Sequence, residues 1–547
     1  MQFLSILLFY TIFYLVGRGI FIFVSKINNF KFEDNYKLFE IEIKYFYTVI
    51  ALIFLGNFNF LINFFKPITN ISTYFFICFF ILFNLFKSFN FKKKYDILFS
   101  FLILFILSIS TFNIGFQYDA GYYHLNFQNW IRSEKIIFGL SNLHTAHALS
   151  SINDYLSASF WVNGNFIYLH YQNLIFLTTF YSLLFRYLTG NSKRYKYGSL
   201  GVIIFALLDN FGVNGGRNGF LTIQGIGKPD VIFGIVFFLA SIYIFFLHRR
   251  KSTVHEIIFL YVLVLYSFQL KQFGAVLLIY FFSVLYKLIK EKKLEIKNLL
   301  KPLLSLSLIL FPWIIKGLIL SGCLLFPLEF TCIDFTWYQE NTALDYSTET
   351  ARFNNAFYFD ISFFNWLQSW LSVELNNTVA QNFLFSLLVI YISKNLLFKK
   401  LRSNNNSLSI EDIVYITLTI IVWIFGSPHP RFLFGFLTFV SFIIFATYEN
   451  LEFRYIKYKK YLNLIFILFF TISVLLTPRI SSYYSAIDQK FNIVRLNEPK
   501  VEFYNYYKSW VMPADGDQCW SNLNCLENYV QIEEKIKSGY KIFTIDN

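Results

Sequence analysis

The stretch Gln117-Tyr-Asp-Ala-Gly-Tyr-Tyr-His-Leu-Asn-Phe-Gln-Asn-Trp-Ile-Arg132 lies between two long apolar segments and is soon followed by Gly139-Leu-Ser-Asn-Leu-His-Thr-Ala-His147. Together they carry an aspartate, an arginine and three histidines. Four apolar or aromatic residues recur at helical spacing and form one face: Tyr123, Phe127, Trp130 and Ile131. The pattern predicts an amphipathic helix on a bilayer surface, with Asp119 at its N-terminal end. A connecting loop with interfacial aromatic residues is the alternative.

The composition on either side of this stretch is that of a membrane protein. Of 547 residues, 56% are hydrophobic and 15% are charged, and the mean hydropathy is +0.50. Apolar runs recur at close to the ~20 residues that cross a ~30 Å hydrocarbon layer, so we expect an all-α integral membrane protein, a polytopic bundle of about 14 (12–14) transmembrane helices. The predicted spans are 3–24, 45–65, 71–89, 97–115, 166–188, 199–213, 229–247, 255–270, 273–289, 303–322, 379–397, 410–427, 432–448 and 461–477.

The net charge of +14 could suggest nucleic acid, but its distribution argues against that partner. Short basic clusters border apolar runs, as cytoplasmic loops do under the positive-inside rule. These clusters are 92–94, 193–196, 249–251, 290–301, 399–402 and 457–460. The alternation places the loops 116–165 and 323–378 outside, the second of them acidic.

Two regions follow from this arrangement. Residues 1–477 form the predicted transmembrane domain with its two external loops. Residues 478–547 have mixed charge and predict a small external C-terminal domain, with a helical pattern near 526–537.

Asp119 is the first candidate for chemistry. A carboxylate just beyond a membrane exit can accept a proton from a hydroxyl group or bind a cation. The alternative is that Asp119 caps the helix that it precedes.

A glycine-rich stretch, 212–230, bears Arg217, Lys228 and Asp230. It is not a phosphate loop, because Thr222 and Pro229 stand where that motif requires a glycine and a serine or threonine. We expect either a flexible external loop near Asp119 or a plain breaker loop.

Two further places hold cations at predicted outer helix ends. Lys271 interrupts an apolar hairpin, so it is either functional or extends to the headgroups. The turn Gly426-Ser-Pro-His-Pro-Arg431 presents His429 and Arg431. Arginine offers a planar fork suited to phosphate, although it could serve as an interfacial anchor here.

Cysteine spacing suggests disulfides outside the membrane. Cys519 and Cys525 could close a small loop in the external tail, which fits an oxidising compartment. Cys323 and Cys332 lie near the outer end of a predicted span and could also pair.

Several blocks together resemble an uncharacterised family of bacterial polytopic membrane proteins, which is in turn similar to the GT-C superfamily of glycosyltransferases. That superfamily includes protein mannosyltransferases and lipid A aminoarabinose transferases. Where the family pattern has a basic residue after Asn-Leu-His, this chain has Ala146 and His147. The blocks are Tyr118-Asp119…Tyr123-His124, Gly139-Leu-Ser-Asn-Leu-His144, Pro312-Trp-Ile-Ile-Lys…Leu320-Ser-Gly-Cys…Pro327, Ser427-Pro-His-Pro-Arg-Phe432 and Gly516-Asp-Gln-Cys-Trp520…Cys525.

The resemblance implies a GT-C-like fold and a glycosyltransferase of the bacterial inner membrane whose active site faces the periplasm. It would move a sugar from a polyprenyl-phosphate donor to a glycan, lipid or protein acceptor. Asp119 matches the acidic residue of the first external loop, and would act as general base or hold a divalent metal, Mg or Mn. The residues expected to bind substrate are Tyr123, His124, Arg132, His144, Lys228, Lys271, His429 and Arg431.

Two other functions fit a polytopic scaffold with external cations. One is a flippase or transporter for lipid-linked oligosaccharide, which predicts charges buried within helices and repeat symmetry. The other is an O-antigen polymerase or ligase. The sequence contains little that distinguishes this function from the glycosyltransferase.

Overall fold

The computed structural model describes residues 1–27, 33–34, 36–87, 94–211, 223, 225–353, 355–358, 361–400, 408–446, 451–453, 459–527 and 529–545. Within these residues the chain is all-α, with short two-stranded sheets beside the helices. The helices are α1 Gln2–Ile27, α2 Tyr47–Asn63, α3 Asn70–Leu82, α4 Lys94–Ser108, α5 Leu125–Ser133, α6 Ile152–Ser157, α7 Ile167–Thr189, α8 Lys193–Phe211, α9 Asp230–Leu247, α10 Val254–Leu270, α11 Ala275–Lys290, α12 Ile296–Ser321, α13 Thr342–Phe353, α14 Phe363–Ser372, α15 Glu374–Leu397, α16 Ile410–Gly426, α17 Pro430–Ala446, α18 Lys459–Leu476 and α19 Ile480–Asp488.

The strands pair as short antiparallel ribbons, with one parallel exception. The exception joins β3 to β4 and brings two distant loops together. The strands are β1 Lys37–Leu38, β2 Ile41–Glu42, β3 Gly115–Phe116, β4 Gly225–Ile226, β5 Phe398–Lys400, β6 Leu451–Phe453, β7 Phe503–Tyr507, β8 Trp510–Pro513, β9 Ile532–Lys537 and β10 Tyr540–Ile545.

Each predicted span coincides with an α-helix, but not every helix has the length of a span. Among the described residues, six helices are long and apolar enough to cross a membrane: Gln2–Ile27, Ile43–Asn63, Asp230–Leu247, Gln272–Lys290, Ile296–Ser321 and Glu374–Leu396. A bent pair, Asn463–Leu476 and Ile480–Asp488, passes the same test with a 62° angle. The chain therefore has the helices of a membrane protein, whereas the count of fourteen spans stays a prediction.

Helix packing uses small residues at the tightest crossings. A Cβ added at Gly17 of α1 would lie 1.9 Å from the carbonyl oxygen of Tyr47, and one at Gly19 would lie 1.9 Å from that of Phe80. Such close backbone approach is typical of helices that associate in lipid. The central helices α7 and α9 are almost wholly buried. By contrast, α12 and α16 expose apolar side chains such as Leu308 and Ile413, as lipid-facing helices do.

One end of the bundle collects basic residues from several loops. Arg194 donates to the backbone oxygen of Arg249 at 3.2 Å, Arg249 pairs with Asp412, and Lys287 pairs with Glu411 at 2.7 Å. Clusters that are far apart in sequence therefore meet at one end, as the positive-inside pattern requires.

At the opposite end, the amphipathic face of the segment 117–132, which is predicted to be external, packs on protein. Phe127, Trp130 and Ile131 are buried, and the Trp130 ring centroid lies 5.6 Å from that of Phe543 in β10. The prediction that this face lies on the bilayer is therefore wrong. The C-terminal region covers Trp130, and Phe127 packs on the rings of His147 and Tyr155, so protein removes these side chains from water as a lipid surface would have done.

The predicted helical pattern at 526–537 is also wrong. Ile532–Lys537 is strand β9, and it pairs antiparallel with β10 across Ser538-Gly539. Both turn residues have positive φ, 52° and 75°. Positive φ at both central residues is the requirement of the two-residue hairpin turn, so the turn sets the structure here and the helical spacing of the apolar residues does not.

Candidate functional site

The short parallel β3–β4 pair positions Asp119. The backbone N–H of Gln117 donates to the carbonyl of Ile226 at 2.9 Å, so the loop after β4 runs beside the loop after β3. Gly227 has φ +96°, and a Cβ there would lie 2.3 Å from the Cβ of Ala120. A glycine is required at this contact, and the residue that follows it, Lys228, is thereby brought to Asp119.

The Asp119 carboxylate is held by two cations on a single oxygen. Its Oδ2 lies 3.1 Å from Nζ of Lys228 and 3.4 Å from Nη1 of Arg431. Among the described residues, Oδ1 has no hydrogen-bond or ion-pair partner. The Asp119 side chain makes no capping hydrogen bond to the helical turn after it, so the helix-cap alternative is wrong.

A second ion pair lies beside the first. Lys271 follows α10 and pairs with Asp230, the first residue of α9, and its Nζ stands 4.0 Å from the Phe432 ring centroid. Asp230 is within electrostatic range of Arg431 and Lys228. Burial lowers the pKa of Lys271 to about 8, against the opposing effect of Asp230. Three cations against two carboxylates leave one positive charge in excess.

The turn between α16 and α17 presents Arg431 through two tryptophan hydrogen bonds. Trp423 Nε1 donates to the His429 backbone oxygen at 3.1 Å, and Trp370 Nε1 of α14 donates to that of Pro428 at 2.7 Å. Burial, assisted by Arg431, lowers the pKa of His429 to about 4, so His429 is neutral at neutral pH. The Nε of Arg431 is buried and has no hydrogen-bond partner among the described residues.

Two tyrosines face the same cluster. The hydroxyls of Tyr123 and Tyr346 each lie within electrostatic range of Asp119 and Arg431, and burial raises the pKa of Tyr346 to about 12. Tyr346 lies on α13 in the acidic external loop, and no motif in the sequence singled it out. The cluster is therefore defined by Asp119, Lys228, Asp230, Lys271 and Arg431, with Tyr123, Tyr346 and His429 around it.

The structure gives two predicted substrate-binding residues partners of their own. His124 Nδ1 lies 2.7 Å from Asp154, and Arg132 donates to the Ala158 carbonyl. Neither residue has an ion pair or hydrogen bond with the Asp119 cluster in the described chain. Their contacts hold the segment 117–132 against α6 and the residue that follows it, and a substrate role for them stays a prediction.

A third predicted substrate-binding residue, His144, lies in a buried group next to Tyr122. Its Nδ1 lies 3.3 Å from Glu527, and its ring centroid lies 4.5 Å from that of Tyr122. Burial lowers the pKa of both His144 and His147 to about 3, so both are neutral at neutral pH. This group fastens the C-terminal region, and a substrate role for His144 also stays a prediction.

The C-terminal disulfide loop is seated on the segment that carries Asp119. Cys519 and Cys525 are joined by a disulfide, and so are Cys323 and Cys332. The backbone N–H of Trp520 donates to the Gly121 carbonyl at 2.8 Å. A Cβ at Gly121 would lie 2.6 Å from the Trp520 ring, so the indole lies directly on this backbone. The tail therefore forms one wall of the Asp119 region.

The residues around Asp119 do not fit a divalent metal. Mg and Mn prefer several oxygen ligands, and the described residues hold no group of three or more His, Cys, Asp or Glu side chains placed for one. One oxygen of the Asp119 carboxylate, Oδ2, is already paired with Lys228 and Arg431, and these two cations would repel a metal ion at the other oxygen. Arg217 of the glycine-rich stretch lies outside the described residues.

Comparison with known proteins adds one match. A search of curated proteins and a search of solved structures each found no match. A family model described as a domain of unknown function matches residues 1–438, which include every residue of the Asp119 cluster. The chain therefore belongs to the DUF8201 family.

Proposed function

We propose that this protein is an integral membrane glycosyltransferase that moves a sugar from a polyprenyl-phosphate donor to an envelope acceptor at the outer face of the bacterial inner membrane. The observation that carries the proposal is Asp119, whose Oδ1 is unpartnered in the described chain while three cations lie around it. Such a set combines a base for a hydroxyl group with charge for a phosphate.

The reaction uses these groups in distinct ways. Asp119 accepts the proton of the acceptor hydroxyl. At the same time, the oxygen of that hydroxyl forms a bond to the anomeric carbon of the donor sugar. The bond from that carbon to the phosphate oxygen breaks, and its electron pair stays on the lipid phosphate. The phosphate charge rises from one to two, and Lys228, Lys271 and Arg431 stabilise that developing charge. The excess positive charge of the cluster suits a donor phosphodiester with one negative charge.

The arrangement of the ends supports an outward-facing site. The basic loops meet at the end formed by Arg194, Arg249 and Lys287, and the Asp119 cluster lies at the other. Fourteen spans would put that cluster outside, together with the two disulfides, which persist in oxidising compartments. A polyprenyl-phosphate sugar reaches such a site from the outer leaflet.

The decisive experiment is transfer in vitro from radiolabelled polyprenyl-phosphate sugars by the purified full-length protein, with and without divalent metal. Asp119→Asn keeps the shape of the side chain and removes its charge. Because general-base catalysis contributes roughly 10²–10⁴-fold, turnover should fall by about that factor while donor binding survives. Lys271→Ala and Arg431→Ala should instead weaken donor binding, since they contact the phosphate before the reaction as well.

The matched control is Asp345→Asn, an exposed aspartate of α13, which should transfer at the wild-type rate. Wild-type turnover by Asp119→Asn would remove Asp119 from catalysis. Movement of the lipid-linked sugar across a vesicle membrane without a new glycosidic bond would replace the proposal with the flippase.

A further inference from the structure

A cationic cavity lies next to the Asp119 cluster, on the other side of Lys271. It is a small, partly open cavity that is bounded by the outer ends of α10 and α12 and by the chain around Ser150. The polar side chains that line it are Ser150, Gln269, Lys271, Gln272 and Lys316. No carboxylate is among its lining residues.

Lys316 is the notable member of this cavity. It is 4% exposed, and its Nζ donates to the backbone oxygen and the hydroxyl of Ser150 at 2.7 and 3.1 Å. Among the described residues it has no ion-pair partner. Asp154, the carboxylate within its electrostatic range, is already bonded by His124 and by the backbone N–H of Ser151. The Trp313 ring centroid lies 3.6 Å from Nζ and offsets part of the cost of burying the ammonium, but no carboxylate lines the cavity, and the cavity therefore favours an anion.

A partly open apolar cavity lies beside the cationic one, between α2, α10 and α12. Gln269 lines both, and its Nε2 donates at 2.9 Å to Oδ1 of Asn57, another residue of the apolar cavity. The remaining lining is hydrocarbon or aromatic: Ile53, Phe54, Val262, Leu265, Tyr266, Leu306, Ile309 and Leu310. Three of the helices predicted to lie in the bilayer thus enclose an apolar cavity that adjoins the cationic one.

We propose that the two cavities form one site for a phosphate-bearing lipid, with the phosphate at Lys316 and the hydrocarbon chain in the apolar cavity. The cation alone would accept any small anion, and the apolar cavity alone would accept any chain. Their junction at Gln269 selects a molecule that has both parts. The site adjoins the Asp119 cluster at Lys271, but its phosphate lies at Lys316, and the proposal stands whether or not the protein transfers a sugar.

The test is the affinity of the purified full-length protein for geranylgeranyl phosphate, geranylgeraniol, dioleoylphosphatidic acid and inorganic phosphate. Lys316→Met should weaken binding of the lipid phosphates by about tenfold to a hundredfold, the value of a charge-assisted contact. Ile309→Trp fills the apolar cavity and should weaken the lipid phosphates while leaving inorganic phosphate unchanged. Tighter binding of geranylgeranyl phosphate or of phosphatidic acid identifies the lipid class.

Exposed positions on α12 supply the controls, because Lys301→Met and Leu308→Trp make the same changes at its surface. Both should bind as the wild type does, and thermal unfolding of all four variants separates lost affinity from lost folding. Ile309→Trp keeps the proposal testable if Lys316→Met does not fold. Wild-type affinity in both cavity variants would overturn the proposal. So would binding that Arg431→Ala abolishes and Lys316→Met leaves intact, since the phosphate would then sit in the Asp119 cluster.

Discussion

The Asp119 carboxylate is held in place by two cations. Lys228 and Arg431 both contact Oδ2, which orients the carboxylate and leaves Oδ1 without a partner among the described residues. In the proposed reaction, a donor phosphate competes with Asp119 for the same two cations. Its attraction to them increases as its negative charge rises during transfer. We expect donor binding to draw Lys228 and Arg431 toward the phosphate and so to free Asp119 for the acceptor.

Lys271 makes donor binding sensitive to pH. Burial lowers its pKa to about 8, so the ammonium is charged below that pH and is lost as the pH rises through it. The affinity for a polyprenyl-phosphate sugar should therefore fall between pH 7 and 9 in the wild type. Lys271→Arg keeps its charge over this range and should flatten the profile. The measurement is the dissociation constant in steps of pH, and a slope that survives in Lys271→Arg would assign it to another group.

Among the elements, the β3–β4 pair decides whether Asp119 meets Lys228. Gly227→Ala introduces a Cβ at φ +96° and 2.3 Å from Ala120, so the loop must move away. We expect transfer activity to fall at least tenfold further than the fraction of folded protein, which thermal unfolding measures. Gly115→Ala in β3 is the matched control, because a Cβ there meets nothing within 4 Å. Equal activity of the two variants would show that the parallel pair does not position the site.

The C-terminal disulfide loop is the second element that shapes the site. Replacing Cys519 and Cys525 by serine leaves the Cys323–Cys332 bond intact. Hydrogen exchange should then rise at 517–527 and at 118–126, because Trp520 no longer seats firmly on Gly121. The helices should keep their protection. Free thiols at both positions in wild-type protein isolated under non-reducing conditions would contradict the disulfide.

For the whole molecule, three segments that are predicted to be external pack on one another and must share a side. Asn142 donates to the Trp337 carbonyl at 3.0 Å, and the Phe543 N–H donates to that of Phe138 at 2.9 Å. In a Cys78→Ser background, an impermeant maleimide should label Ser133→Cys and Glu349→Cys in intact spheroplasts. Lys297→Cys, in the first turn of α12, should react after lysis alone. Opposite labelling of Ser133→Cys and Glu349→Cys would refute the fourteen-span topology.

The sequence by itself determined where the helices lie and which residues deserved notice. Hydropathy is a local property, so apolar runs located the helices to within a few residues, and charged residues in an apolar chain stood out at Asp119, Lys271 and Arg431. It failed at 526–537, where two positive-φ turn residues outweigh helical spacing.

Only the tertiary structure decided which of those residues meet. Asp119 is 312 positions from Arg431, and no local rule links them. His124 lies in the same polar stretch of sequence as Asp119 and was equally a candidate for the site. In the fold, however, its ring contacts Asp154. Tyr346 and Lys316 become candidate functional residues only because of the side chains that the fold places around them. Contacts between distant segments depend on which helices pack against each other. The packing interactions of the whole bundle together decide that pairing, and no local sequence pattern does.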